Sequence, residues 1–226
     1  MNYFAHGYRH LDRPWFLAGT AIPDWLNVVD RRIRVRARTV ASFLDDPDRE
    51  SSVEFQELAA GVTQHHHDDD WFHRTRAFAE LSLQFAVLLR DGLPVDDGLR
   101  PGFLGHILVE LLLDDILAAE KPDMLSEYYR ALADVDPVAV ARFVSSVTGK
   151  PAEGLARLIP RFIEVRFLYD YADNAKLLFR LNQVMRRVGL AQIPDQFVDL
   201  LPQMRTAVRE SKDQLLTPSQ SPPEQA

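Results

Sequence analysis

Through most of the chain, apolar residues recur every three or four positions, the period of a helix buried along one face. This pattern predicts helices over 52–66, 74–90, 103–120, 124–133, 137–148, 153–170, 173–189 and 195–212. Asp136-Pro137 reads as an N-cap followed by proline at the first helical position, and Gly149 stands where that helix should end. Pro194-Asp195 opens the last helix. One stretch alternates as a strand does, Arg32-Ile33-Arg34-Val35-Arg36, but it lacks a second strand to pair with and reads as helix or extended loop. Arg90 to Gly102 is a turn-rich connection, and the tail from Thr217, TPSQSPPEQA, has no core-forming residue and reads as disordered. The expectation is an all-α protein: a single-domain helical bundle over 1–212 with a tail over 213–226.

Two of the apolar stripes run into polar residues. Phe55, Leu58 and Val62 mark a helix face that enters QHHHDDDWFH, Gln64 to His73. If the helix continues, that face reaches His65, Asp69 and then Phe72 or His73. His66, His67, Asp68 and Asp70 point elsewhere, toward solvent or into support of the others. In GFLGHILVELLLDDILAA nearly every side chain is apolar, so the helix is buried on most sides. His106, Glu110 and Asp114 form one line along it, each four residues from the next. Burying an unpaired carboxylate is costly, so the line needs an arginine, a solvent groove or a cation. Arg161, Arg166 and Arg180 of the later helices are available as partners, and Asp114 and Asp115 are equally readable as an exposed edge. A single His–carboxylate pair is most often a hydrogen-bonded structural pair. Here the pair is duplicated on two helices, which is how helical bundles build metal sites, so a buried metal site between helices is expected. Near the N-terminus, His6 and His10 stand among Tyr3, Phe4 and Tyr8, and Asp24 is flanked by Ile22, Trp25 and Leu26.

Composition narrows the chemistry. A net charge of -7 argues against a general nucleic-acid or anionic-membrane binder. With no cysteine there are no disulfides, and a metal would be held by histidine and carboxylate alone, a set that suits manganese, iron(II) or zinc. The start MNYFAHGYRH lacks the charged-then-apolar pattern of a signal peptide, and the run Phe103 to Ala119 is too polar for a membrane span. A soluble, cytoplasmic protein is expected. No serine sits in a nucleophile elbow, and Gly149-Lys150 lacks the rest of a phosphate-binding loop.

Three islands carry a family resemblance: Met1-Asn2-Tyr3-Phe4-Ala5-His6, then Gly19-Thr20-Ala21-Ile22-Pro23-Asp24-Trp25, then Ala60-Gly61-Val62 with His65 and Asp69. Together they resemble the acyl carrier protein phosphodiesterase family, and Phe167 to Arg187 is similar too. The resemblance implies an all-helical, HD-like, metal-dependent hydrolase that removes the phosphopantetheine arm of an acyl carrier protein, with His6, Asp24, His65 and Asp69 in the family's order. The chain departs from the pattern in the later helix, where His106 and Glu110 stand for the family's two aspartates. FLAGTAIPDW also resembles a segment of zinc-dependent phospholipase C-like proteins. The expected ligands are therefore His6, Asp24, His65, Asp69, His106 and Glu110, enough for one full site or for two sharing a carboxylate. A bound metal would activate water against a phosphodiester. Asp69 is counted as catalytic as well as a ligand, with His73 or Asp114 as general acid. Arg31, Arg32 and Arg34, continued by Arg36 and Arg38, would meet the phosphoryl charge or dock the acidic carrier protein, unless they are simply a solvated edge. The reading from another class is a non-catalytic helical scaffold that keeps a metal or a polar core.

Overall fold

In the computed structural model the described residues are 1–45, 52–94 and 98–218. Every regular element among them is helical, as the periodicity predicts: α1 (Tyr3–Gly7), α2 (Pro14–Val29), α3 (Ala37–Leu44), α4 (Val53–Phe72), α5 (Arg76–Gly92), α6 (Pro101–Glu120), α7 (Pro122–Ala133), α8 (Pro137–Thr148), α9 (Gly154–Val165), α10 (Asn174–Val188) and α11 (Leu201–Leu215). Short 3-10 stretches occupy Phe167–Ala172 and Asp195–Asp199. No helix among the described residues is long and apolar enough to cross a membrane.

The differences from the sequence reading have local causes. α2 was not foreseen because Phe16 to Ile22 are all buried, which erases the one-faced period, and Pro14, Gly19 and Pro23 read as breakers. The helix expected over 153–170 stops at Val165, where Arg166 turns left-handed (φ 50°), and continues as the 3-10 stretch. Of the two forms expected for Arg32 to Arg36, the loop is found: Arg32 lies in a turn and 33–36 are irregular, with Ile33 and Val35 buried and the arginines exposed. Of the connection expected over Arg90 to Gly102, α5 takes the start as far as Gly92 and α6 the end from Pro101, while 95–97, like the tail from 219, lie outside the described residues. α11 runs to Leu215, beyond the expected domain end.

The chain divides into two compact units. The first, Met1–Asp69 with Lys121–Phe167, is arranged around α2, which packs on α1, α7 and α9, while α3 packs on α8. Its core holds Phe4, Leu17, Ile22, Trp25, Leu58, Tyr128 and Phe143. α2 and α4 cross with their main chains in contact: a Cβ on Gly61 would stand 2.8 Å from Gly19 Cα and 2.9 Å from Thr20 N. α8 begins where Asp136 accepts a 2.9 Å hydrogen bond from Val138 N and ends at left-handed Gly149. Asp136→Ala is expected to lower stability by about 1 kcal/mol, seen as an earlier urea midpoint at unchanged slope.

The second unit consists of the described residues of Asp70–Glu120 and Leu168–Ala226. α5 and α6 pack along their length, and α11 lies on both. α6 is buried from Leu111 through Leu117, including Asp114 and Asp115. Neither aspartate is an exposed edge. Asp115 is met by Arg205 of α11, which also donates to the Tyr171 carbonyl (2.6 Å) and Asn174 Oδ1 (3.1 Å). Of the arginines open as partners of the two ladders, Arg161 pairs with Glu164, Arg180 pairs with Asp170, and Arg166 lies over the Tyr129 ring.

Candidate metal centre

α4 continues through the histidine-rich run, which puts His65 and Asp69 one turn apart on its buried side. His65 Nδ1 donates to the Thr20 carbonyl of α2 at 2.8 Å. That bond fixes the ring and leaves Nε2 facing Asp69 Oδ2 at 3.4 Å. A neutral ring in this tautomer turns a lone pair toward a carboxylate, and only a proton or a metal ion between them makes the contact attractive. Burial opposes a charge on His65, but Asp69 and the nearby Asp24 outweigh it, so its pKa is raised. Pro23 lacks the N–H that would bond the Gly19 carbonyl. The turn that offers the Thr20 carbonyl is thus one where the helical ladder is already interrupted.

His6 of α1 completes the group. Its ring stacks on His65, centroids 4.1 Å apart at 28°, and its side chain is fully buried. Nδ1 is 3.3 Å from Asp68 Oδ2, and Gln64 holds the other oxygen of Asp68 at 2.8 Å. Nε2 is sealed from solvent 3.3 Å from Asp69 Oδ1, without the alignment of a hydrogen bond. The Met1 ammonium lies 2.6 Å from the same oxygen. Burial works to raise the Asp69 pKa, but His6, His65 and the ammonium hold it well below the usual carboxylate range. One ligand atom from each of His6, His65 and Asp69 falls within 4.8 Å of the others.

A comparable group stands in the second unit. His73, just past the end of α4, donates from Nε2 to Glu110 Oε1 at 2.8 Å, and His106 Nε2 lies 3.3 Å from the same oxygen. Burial acts to raise the Glu110 pKa, but the bonds and charge of His106 and His73 help bring it well below the usual range. Asp114, one turn further along α6, is buried and belongs to neither set of three.

The expected ligands thus fall into two groups, one in each unit. His6, His65 and Asp69 come together with half-buried Asp24 acting on His65, whereas His106 and Glu110 come together with His73. His10 is not among them and packs on Phe16. His66 donates to the Val35 carbonyl at 2.7 Å, His67 is exposed, and Asp70 pairs with Arg74. Asp68 is buried in support of His6, one of its two expected places. Arg31, Arg32 and Arg34 are exposed: Arg32 pairs with Asp30, and Arg34 donates to Asn27 Oδ1 at 3.0 Å. The sequence reading missed the Thr20 carbonyl, which no side-chain pattern announces. It also missed His73 as a partner of Glu110, although His65, Asp69 and His73 continue at intervals of four. Comparison of the chain with protein-family models, curated proteins and solved structures gave no match in any of the three.

Proposed function

We propose that this protein is a metal-dependent phosphodiester hydrolase, with His6, His65 and Asp69 holding the metal and Asp24 beside them. One observation carries the reading: the Thr20 carbonyl takes the Nδ1 proton of His65, and its Nε2 and the buried Nε2 of His6 both turn to the Asp69 carboxylate. Histidine ligands are commonly oriented in this way, with one nitrogen bonded to a carbonyl and the other left for the ion. The resemblance to acyl carrier protein phosphodiesterases supports the same residues in the same order. Two imidazoles and a carboxylate suit manganese, iron or zinc, which would supply Lewis acidity toward a phosphoryl oxygen and lower the pKa of a coordinated water toward neutrality.

The chain's own groups have distinct tasks in this reading. Thr20 orients His65, Asp68 orients His6, and Asp24 adds negative charge that favours a cation. The exposed arginines from Arg31 to Arg38, in the same unit, offer a basic edge for the phosphoryl group or for an acidic carrier protein, the substrate class the resemblance implies. The test is hydrolysis of an aryl phosphodiester, and release of phosphopantetheine from a holo-carrier protein, with manganese, iron(II) or zinc added. Turnover that disappears in folded Asp69→Ala is expected. No turnover with any of the three metals would end the hydrolase reading.

The scaffold reading is favoured by the Met1 ammonium at Asp69, which gives that carboxylate a cationic partner without a metal. On that reading, exhaustive chelation leaves the thermal midpoint where it was.

A further inference from the structure

We propose that His73, His106 and Glu110 form a second divalent-cation site, open to solvent and readily exchanged. None of its residues belongs to the proposed hydrolytic group, so it stands whether or not the protein turns over a phosphodiester.

The geometry is that of converging donors. Both histidines present Nε2 to one carboxylate oxygen, at 2.8 Å from His73 and 3.3 Å from His106. Ligand atoms around a tetrahedral ion at zinc-like bond lengths stand about 3.3 Å apart. An ion would therefore fit with small rotations of the rings. Those rings are held in place, because Phe78 packs on both at 4.8 Å between centroids, and the imidazoles are 4.8 Å from each other. The elements also fix the set: His106 and Glu110 are one turn apart on α6, and His73 immediately follows α4.

Exposure distinguishes this group from the other. The side chains are 16% exposed at Glu110, 32% at His73 and 44% at His106, so the carboxylate forms the floor and the imidazoles the open rim. Three protein ligands with a solvent-facing side leave coordination positions for water or a small anion, the arrangement of exchangeable rather than structural sites. The competing arrangement is a hydrogen-bonded triad in which both Nε2–H groups donate to Glu110 and no ion enters. Both arrangements use the same contacts, and they differ in metal stoichiometry.

Cobalt(II) titration of the full-length, metal-free protein separates them. Bound metal would be counted after gel filtration, and the visible ligand-field bands followed during the titration. The wild type is expected to bind a second, weaker equivalent that His106→Ala and Glu110→Gln each lose while keeping the first. His106 is exposed enough that its truncation should leave the circular dichroism unchanged, and Glu110→Gln keeps the side-chain volume. Equal stoichiometry and affinity in the wild type and both variants would overturn the proposal while leaving the His6 group untouched. Binding of no cobalt at all would overturn both.

Discussion

Gly61→Ala is expected to destabilise the protein by about 2–3 kcal/mol and to weaken metal binding at the His6 group in the same step. Overpacking a core by a single carbon costs about 1–3 kcal/mol, usually because a neighbouring side chain must leave its rotamer. Here no side chain can yield. The new Cβ would meet Gly19 Cα at 2.8 Å and Thr20 N at 2.9 Å, with the Phe16 carbonyl closer still. All are main-chain atoms, so α2 and α4 have to part. A forced main-chain separation belongs at or above the top of that range, and the better helix propensity of alanine returns about 1 kcal/mol, which leaves about 2–3 kcal/mol. Parting the helices also carries the Thr20 carbonyl away from His65 Nδ1, so the loss of stability and the loss of metal affinity should appear together. Urea unfolding and metal titration read the two effects. Gly102→Ala is the control, because a Cβ there has nothing within 4 Å. A Gly61→Ala protein as stable as the wild type would mean that the helices do not cross at their main chains, and the account of how His65 is positioned would fail with it.

Arg205→Ala should cost about 3 kcal/mol or more, because removing one partner of a buried ion pair leaves the other charged and unsolvated. Asp115 and Arg205 keep side-chain exposures of 10% and 14%, and the guanidinium also serves the Tyr171 carbonyl and Asn174. Replacing both members by apolar groups of similar size is often neutral, so Arg205→Met with Asp115→Leu should recover much of the loss. Thermal or urea unfolding of the three variants decides it. An Arg205→Ala change within about half a kcal/mol, the range of ordinary surface substitutions, would show that Asp115 is satisfied without the arginine.

How much of this was legible in the sequence depended on what kind of contact was involved. Side-chain periodicity carried well. The stripe Phe55, Leu58, Val62 led to His65 and Asp69 because one helix carries them all, and α6 was readable as buried because almost nothing on it is polar. Caps were readable too, since Asp136 and Gly149 do locally what their side chains dictate. α2 was invisible for the opposite reason: a helix buried on nearly every side has no period, and its glycine and prolines look like interruptions. The partner of Asp115 was not foreseen because any arginine in a later helix satisfies a sequence argument, and only the path of α11 selects Arg205. The division of the histidines into His6 with His65 and His73 with His106 has the same origin. Spacing shows which residues share a face, while the neighbour that face meets is decided by chain topology.

The crossing of α2 and α4 bears on how far the surrounding sequence can vary. His65 is aimed by a carbonyl, an atom every residue owns, and the distance to that carbonyl depends on two positions with no side chain at all. Substitution at Thr20 or at neighbouring positions can change chemistry there without moving the acceptor. Substitution at Gly19 or Gly61 moves it whatever the incoming residue is. In a diverging set of such chains, the two glycines would be the last to change and would mark the site more faithfully than the exposed arginines of the same unit.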